Sequence, residues 1–136
     1  MGTESKKKKR VLIVDDEPEI TLLFNISLDG FMVDSFNDPL LALSKFKQDF
    51  YDLAILDIVM PKMKGFELYK EIKKIDGKIR VCFLTGLGDF QSYQEFRKFR
   101  EEQEEGHNNI IEKDLFVQKP VQSKEIINHI NKIINS

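Results

Sequence analysis

The chain has one cysteine, Cys82, in 136 residues, so it forms no internal disulfide and must rely on an apolar core for its order. That thiol stands inside an apolar run, and neither His107 nor His129 falls into a recognisable Cys/His arrangement with it, so a small buried hydrophobe is the expected role. Proline (4) and glycine (7) are too scarce for a collagenous or low-complexity chain. No apolar stretch reaches the roughly 18 residues that a membrane-spanning helix needs, and no signal-peptide core is present. A net charge of −2 gives no general attraction to nucleic acid or anionic lipid. The expectation is a soluble, cytoplasmic protein without membrane insertion or direct nucleic-acid binding.

What remains is globular. A 41% hydrophobic fraction with 11 Phe suits one ordinary domain with one core. The exception is the basic run Lys6 to Arg10, which reads as a solvated segment; residues 1–9 are expected to be a flexible basic tail and 10–136 the folded domain.

Short apolar runs alternate with longer segments of helical period. Strands are predicted at Val11–Val14, Phe31–Phe36, Leu53–Leu56, Arg80–Leu84 and Leu115–Val117. Between and after them, helices are predicted at Pro18–Leu28 with Gly30 at its C′ position, from Pro39 through Phe46, at Phe66–Ile75, at Asp89–Glu105 and at Ser123–Ile134. Such alternation implies an α/β fold, a parallel sheet covered on both faces, because each crossover must pack its helix back onto the sheet. In open sheets of this kind, chemistry gathers beyond the carboxyl ends of the strands.

Four polar groups stand at those ends: Asp15-Asp16, Asp57, Thr85 and Lys119. Taken singly each is ordinary. Acids before Pro18 suit a helix N-terminus, Asp57 could be a turn residue, and Lys119 a surface charge. Taken together, three carboxylates in one place repel, and a cation between them relieves the repulsion. Oxygen ligands of this sort suit Mg²⁺, which commonly fills its shell with phosphate oxygens, while a lysine and a hydroxyl remain to bind a phosphoryl group.

The stretches VLIVDDEP, LAILDIVMPKMKG, VCFLTG and LFVQKP, in this order on these strands, resemble the receiver domain of two-component response regulators from about Arg10 to the C-terminus. The resemblance implies a flavodoxin-like (βα)5, doubly wound, five-stranded sheet of order 2-1-3-4-5. Carried over residue by residue, it makes Asp57 the phosphoacceptor, served by a histidine kinase or a histidine phosphotransfer protein. It also implies Mg²⁺, or Mn²⁺ in its place, on Asp15, Asp16, Asp57 and the backbone carbonyl of Val59. Lys119 and Thr85 would hold the phosphoryl oxygens, and Thr85 with Phe116 would form the switch. On the same grounds Met60, Pro61 and Gly65 shape the loop after Asp57. The protein implied is a switch without an attached output domain, not an enzyme, although it assists its own phosphorylation and slow dephosphorylation.

Departures from the family pattern are local. Gly86 follows Thr85 where alanine is usual, and Val59 and Leu87, at positions that tune acyl-phosphate lifetime, are both apolar. The fourth helix and the loop after it, Tyr93 to Lys113, are longer than usual, on the fourth-to-fifth helix face that receivers use for downstream targets. Two other classes are open: a Mg²⁺-dependent phosphatase with an aspartate nucleophile, for which no second acid or substrate cap is evident, and a vestigial receiver acting as a scaffold.

Overall fold

The computed structural model describes residues 8–85, 94–95, 97–98, 101–102, 116–118 and 123–134. Five strands form one parallel sheet: β1 (Arg10–Val14), β2 (Met32–Phe36), β3 (Leu53–Asp57), β4 (Arg80–Thr85) and β5 (Phe116–Gln118), in the order β2-β1-β3-β4-β5. The first three connections hold α1 (Pro18–Ser27), α2 (Pro39–Lys45) and α3 (Gly65–Ile75), and a closing helix spans Ser123–Ile134. The flavodoxin-like topology and strand order match the expectation.

Alternation along the strands divides the core in two. Leu12, Val14, Ala54, Leu56, Val81 and Phe83 point to one face, where Ala42 and Phe46 of the α2 segment and Phe66, Leu68 and Ile72 of α3 cover them. Val11, Ile13, Leu53, Ile55, Cys82 and Leu84 point to the other, under Phe24 of α1 and Ile130 and Ile133 of the closing helix. Because both faces are covered, β3 is buried at every position and reads as an unbroken apolar run up to Asp57.

Local chemistry sets the element ends. Pro18 and Pro39 start α1 and α2, where a missing N–H costs nothing, and the Asp38 carboxylate caps α2 by accepting from Leu40 N at 2.9 Å. The α1 helix stops one residue earlier than its periodicity suggests. Leu28 is the C-cap, which puts Gly30, at φ +97°, one position past C′ in the turn into β2.

The residues described at 94, 95, 97, 98, 101 and 102 are helical, as expected of Asp89–Glu105. The aromatic row Phe90, Tyr93, Phe96 and Phe99 lies outside the described residues, as does most of Tyr93 to Lys113.

Candidate functional site

Strand β1 delivers the first acids. Its last residue, Val14, pairs with Leu56 of β3, so Asp15 and Asp57 follow at the same height on adjacent strands. Asp15 is fully buried and Asp57 is 4% exposed. The backbone around Asp15 is fixed from two sides: its N–H donates to Phe36 O at 3.1 Å, and its carbonyl accepts from Asn37 Nδ2 at 2.7 Å. Asn37 Nδ2 also donates to Thr21 Oγ1, which ties the start of α1 to the end of β2.

The chain then folds back on itself. Asp15 Oδ1 accepts from Glu17 N at 2.9 Å, and this tight turn brings carboxylate oxygens of Asp15, Asp16 and Glu17 within 4.8 Å of one another. Glu17 was not among the ligands expected from sequence. Its signal was present in the contiguous triplet, but a string of acids before a proline reads first as a helix start. Asp57 is not one of these three, although it stands one step across the sheet from Asp15. Three carboxylates so close, all hard oxygen donors, fit a divalent cation of the Mg²⁺ type.

Beyond Asp57 the loop doubles back tightly. Ile58 N donates to Leu84 O at 3.2 Å, and Gly65 N donates to Ile58 O at 2.8 Å. This draws Gly65 against the end of β3 so closely that a Cβ there would lie 2.1 Å from the Asp57 carbonyl oxygen. Glycine is therefore required by contact rather than by torsion. Met60 is buried, and Val59 packs half-buried against the α2/α3 side of the core.

Two ion pairs hold the same loop from outside. Lys62, at φ +74°, meets Asp38 at 2.8 Å and holds that carboxyl below its usual range, chiefly through their hydrogen bond. Lys64 meets Glu95 at 2.7 Å, and this hydrogen bond raises the Lys64 ammonium above its usual value. Neither pair was legible in sequence, because the partners are 24 and 31 positions apart.

Thr85 is the last residue of β4 and is opposite Gln118 of β5, while Phe116 is opposite Phe83. The two expected switch positions thus lie on neighbouring strands, two register steps apart. Lys119 and Leu87 lie outside the described residues. On the α1 side, burial pushes the Cys82 thiol up to about 12, which removes it from consideration as a nucleophile near neutrality.

With this geometry in view, comparison with known proteins is decisive. The model of the response regulator receiver domain matches residues 11–131. The chain belongs to that family. This receiver is 32% identical to the chemotaxis protein CheY of Bacillus subtilis over 135 residues, covering 93% of this chain and 98% of CheY. It is also 42% identical over 91 residues to a probable transcriptional regulator, ycf27, of Guillardia theta, a match covering 65% of this chain and only 35% of that protein. A solved CheY-like receiver of Methanospirillum hungatei superposes with a TM-score of 0.74 at 23% identity, covering 95% of each chain, which supports the fold. The receiver is thus a module of two-component signalling. Among its described residues, no helix is long and apolar enough to cross a membrane.

Proposed function

We propose that this receiver is the phosphoacceptor switch of a cytoplasmic two-component phosphorelay. A carboxylate oxygen of Asp57 bonds to the phosphorus of a phosphohistidine, on a histidine kinase or a histidine phosphotransfer protein, as the P–N bond breaks and its electron pair returns to the imidazole. The single observation that carries the reading is the placement of Asp57: a nearly buried carboxylate at the tip of the central strand, in register with Asp15 and beside the acidic turn.

Asp15, Asp16, Asp57 and the Val59 carbonyl would hold Mg²⁺ or Mn²⁺, with Glu17 close enough to contribute. When bound, the ion neutralises charge on the transferred phosphoryl oxygens. Lys119 and the Thr85 hydroxyl then hold these oxygens, and the movement of Thr85 frees space that Phe116 takes up. The altered fourth-to-fifth helix face reads the state out to a downstream protein. Val59 and Leu87 keep water from the acyl phosphate, so its hydrolysis is slow. The receiver is a phosphoacceptor rather than an enzyme with a separate substrate, and residues 10–136 form the working unit behind a basic tail.

Incubation with acetyl phosphate and Mg²⁺ tests this. The expected outcome is one stable label, abolished in Asp57→Asn. Steady phosphate release from diverse esters, or a label that survives in Asp57→Asn, overturns the reading.

A further inference from the structure

At the amino ends of the strands lies a cavity of about 390 Å³, within the range of small-molecule sites. Arg80, on its lining, pairs in register with Leu53, the first residue of β3, whereas Asp57 is the last. At 3.3 Å per residue the cavity is about 13 Å along the sheet from Asp57, at the opposite edge. Three cations from separate segments line it: Lys9 before β1, Lys78 after α3, and Arg80 at the start of β4.

Some bases at this edge have structural work. Helices end here, and their last carbonyls carry partial negative charge. Arg80 donates to Ile133 O of the closing helix, and Lys73 donates to Ile79 O at 2.5 Å. Lys9 and Lys78 are different. Both are exposed, and neither has a carboxylate at ion-pair distance among the described residues.

Two acids share the lining, Asp49 and Asp52. Asp52 Oδ2 accepts from Arg10 N at 2.8 Å. Asp49 sits in the left-handed region at φ +57°, its N–H donating to the buried Asp76 at 3.1 Å. Asp76 also accepts from Lys78 N at 3.1 Å, so one buried carboxylate fixes the backbones of two lining segments. Phe50, on the wall, has the Arg10 guanidinium 4.3 Å and the Lys47 ammonium 5.2 Å from its ring centre, which adds positive charge at the rim.

We infer that this cavity binds a small phosphorylated organic molecule, its phosphate held between the Lys9 and Lys78 ammonium groups. Ammonium point charges suit a dianionic phosphate, and the cavity has room for the organic part. The site is independent of Asp57 chemistry.

The test uses the full chain carrying Asp57→Asn, titrated with adenosine 5′-monophosphate, pyrophosphate and citrate while backbone amide shifts are followed. Saturable shifts at Lys9, Asp49 to Asp52 and Lys78 are expected with both phosphate compounds. Affinity should fall about tenfold in the doubly substituted Lys9→Ala, Lys78→Ala chain, whose remaining spectrum reports that it is folded. Shifts confined to the acidic edge, a non-saturating response, no loss of affinity in the double variant, or citrate binding as tightly as the phosphates would each overturn the inference.

Discussion

The two edges of the sheet carry opposite chemistry. The carboxyl edge gathers Asp15, Asp16, Glu17 and Asp57, while at the amino edge Lys9, Arg10, Lys73, Lys78 and Arg80 outnumber Asp49, Asp52 and Asp76. The fold itself favours this sorting. In a parallel α/β sheet each helix runs back against its strands, so helix N-termini stand at the carboxyl edge and C-termini at the amino edge, and the dipoles prefer acids at one and bases at the other. The edges differ in what their polar groups hold. At the amino edge Arg80 donates to a carbonyl at the end of the closing helix, Lys73 donates to Ile79 O just before β4, and the buried Asp76 accepts two backbone N–H groups, while Lys9 and Lys78 are in no ion pair among the described residues. The acids of the carboxyl edge are pressed against one another. The amino edge thus ties separate segments of the fold together, and the carboxyl edge concentrates negative charge at the tips of its strands.

Substitutions can break this contrast. The largest effect is expected from Gly65→Ala, because the new methyl would meet backbone 2.1 Å away rather than a yielding side chain. A loss of about 3 kcal/mol in denaturant unfolding is expected; a loss below about 1 kcal/mol would mean that the loop gives way easily. At the other edge, Asp76→Ala leaves the Asp49 and Lys78 amides without their acceptor and should cost about 2 kcal/mol by the same measurement. Asp16→Asn should have the opposite sign. With metal removed by chelation, relief of repulsion should stabilise the variant by about 0.5–1 kcal/mol, and added Mg²⁺ should stabilise it less than the parent.

The smallest effect concerns Lys62. Asp38 is held below its ordinary 3.8, so its contribution to stability is complete above that value and is lost as pH falls through the lower, folded-state value. In Lys62→Ala the Asp38 carboxyl should titrate closer to 3.8, which NMR titration of its carboxyl carbon would read directly. An unmoved titration would show that the helix cap, not the lysine, sets it.

Much of this was legible in sequence because its causes are local. Periodicity placed the described strands and helices within one or two residues, and Ser123–Ile134 has the same bounds in both. The acids at the strand tips were legible because an apolar run that stops at a carboxylate is costly unless something answers it. The site details that escaped depend on backbone bending or on distant partners. Glu17 joins the acidic group only because the turn after β1 closes on Asp15 Oδ1. At the amino edge, the Tyr51 hydroxyl donates to Asp34, and Arg10 covers Phe50, through contacts that the order of the strands creates. The basic run illustrates the limit. Arg10, expected within the folded domain, is the first residue of β1, and the Lys9 carbonyl accepts from Met32 N, so the last residue of the expected tail is already bound to the sheet.

Cys82, sealed within the sheet with its thiol silenced by burial, leaves the surface chemically blank toward maleimides and other thiol reagents. A cysteine introduced at an exposed position such as Lys62, in the loop after Asp57, or Lys78, at the amino edge, would therefore react alone. A single fluorophore or spin label could then follow either edge of the sheet in the parent sequence, with no background thiol to remove first.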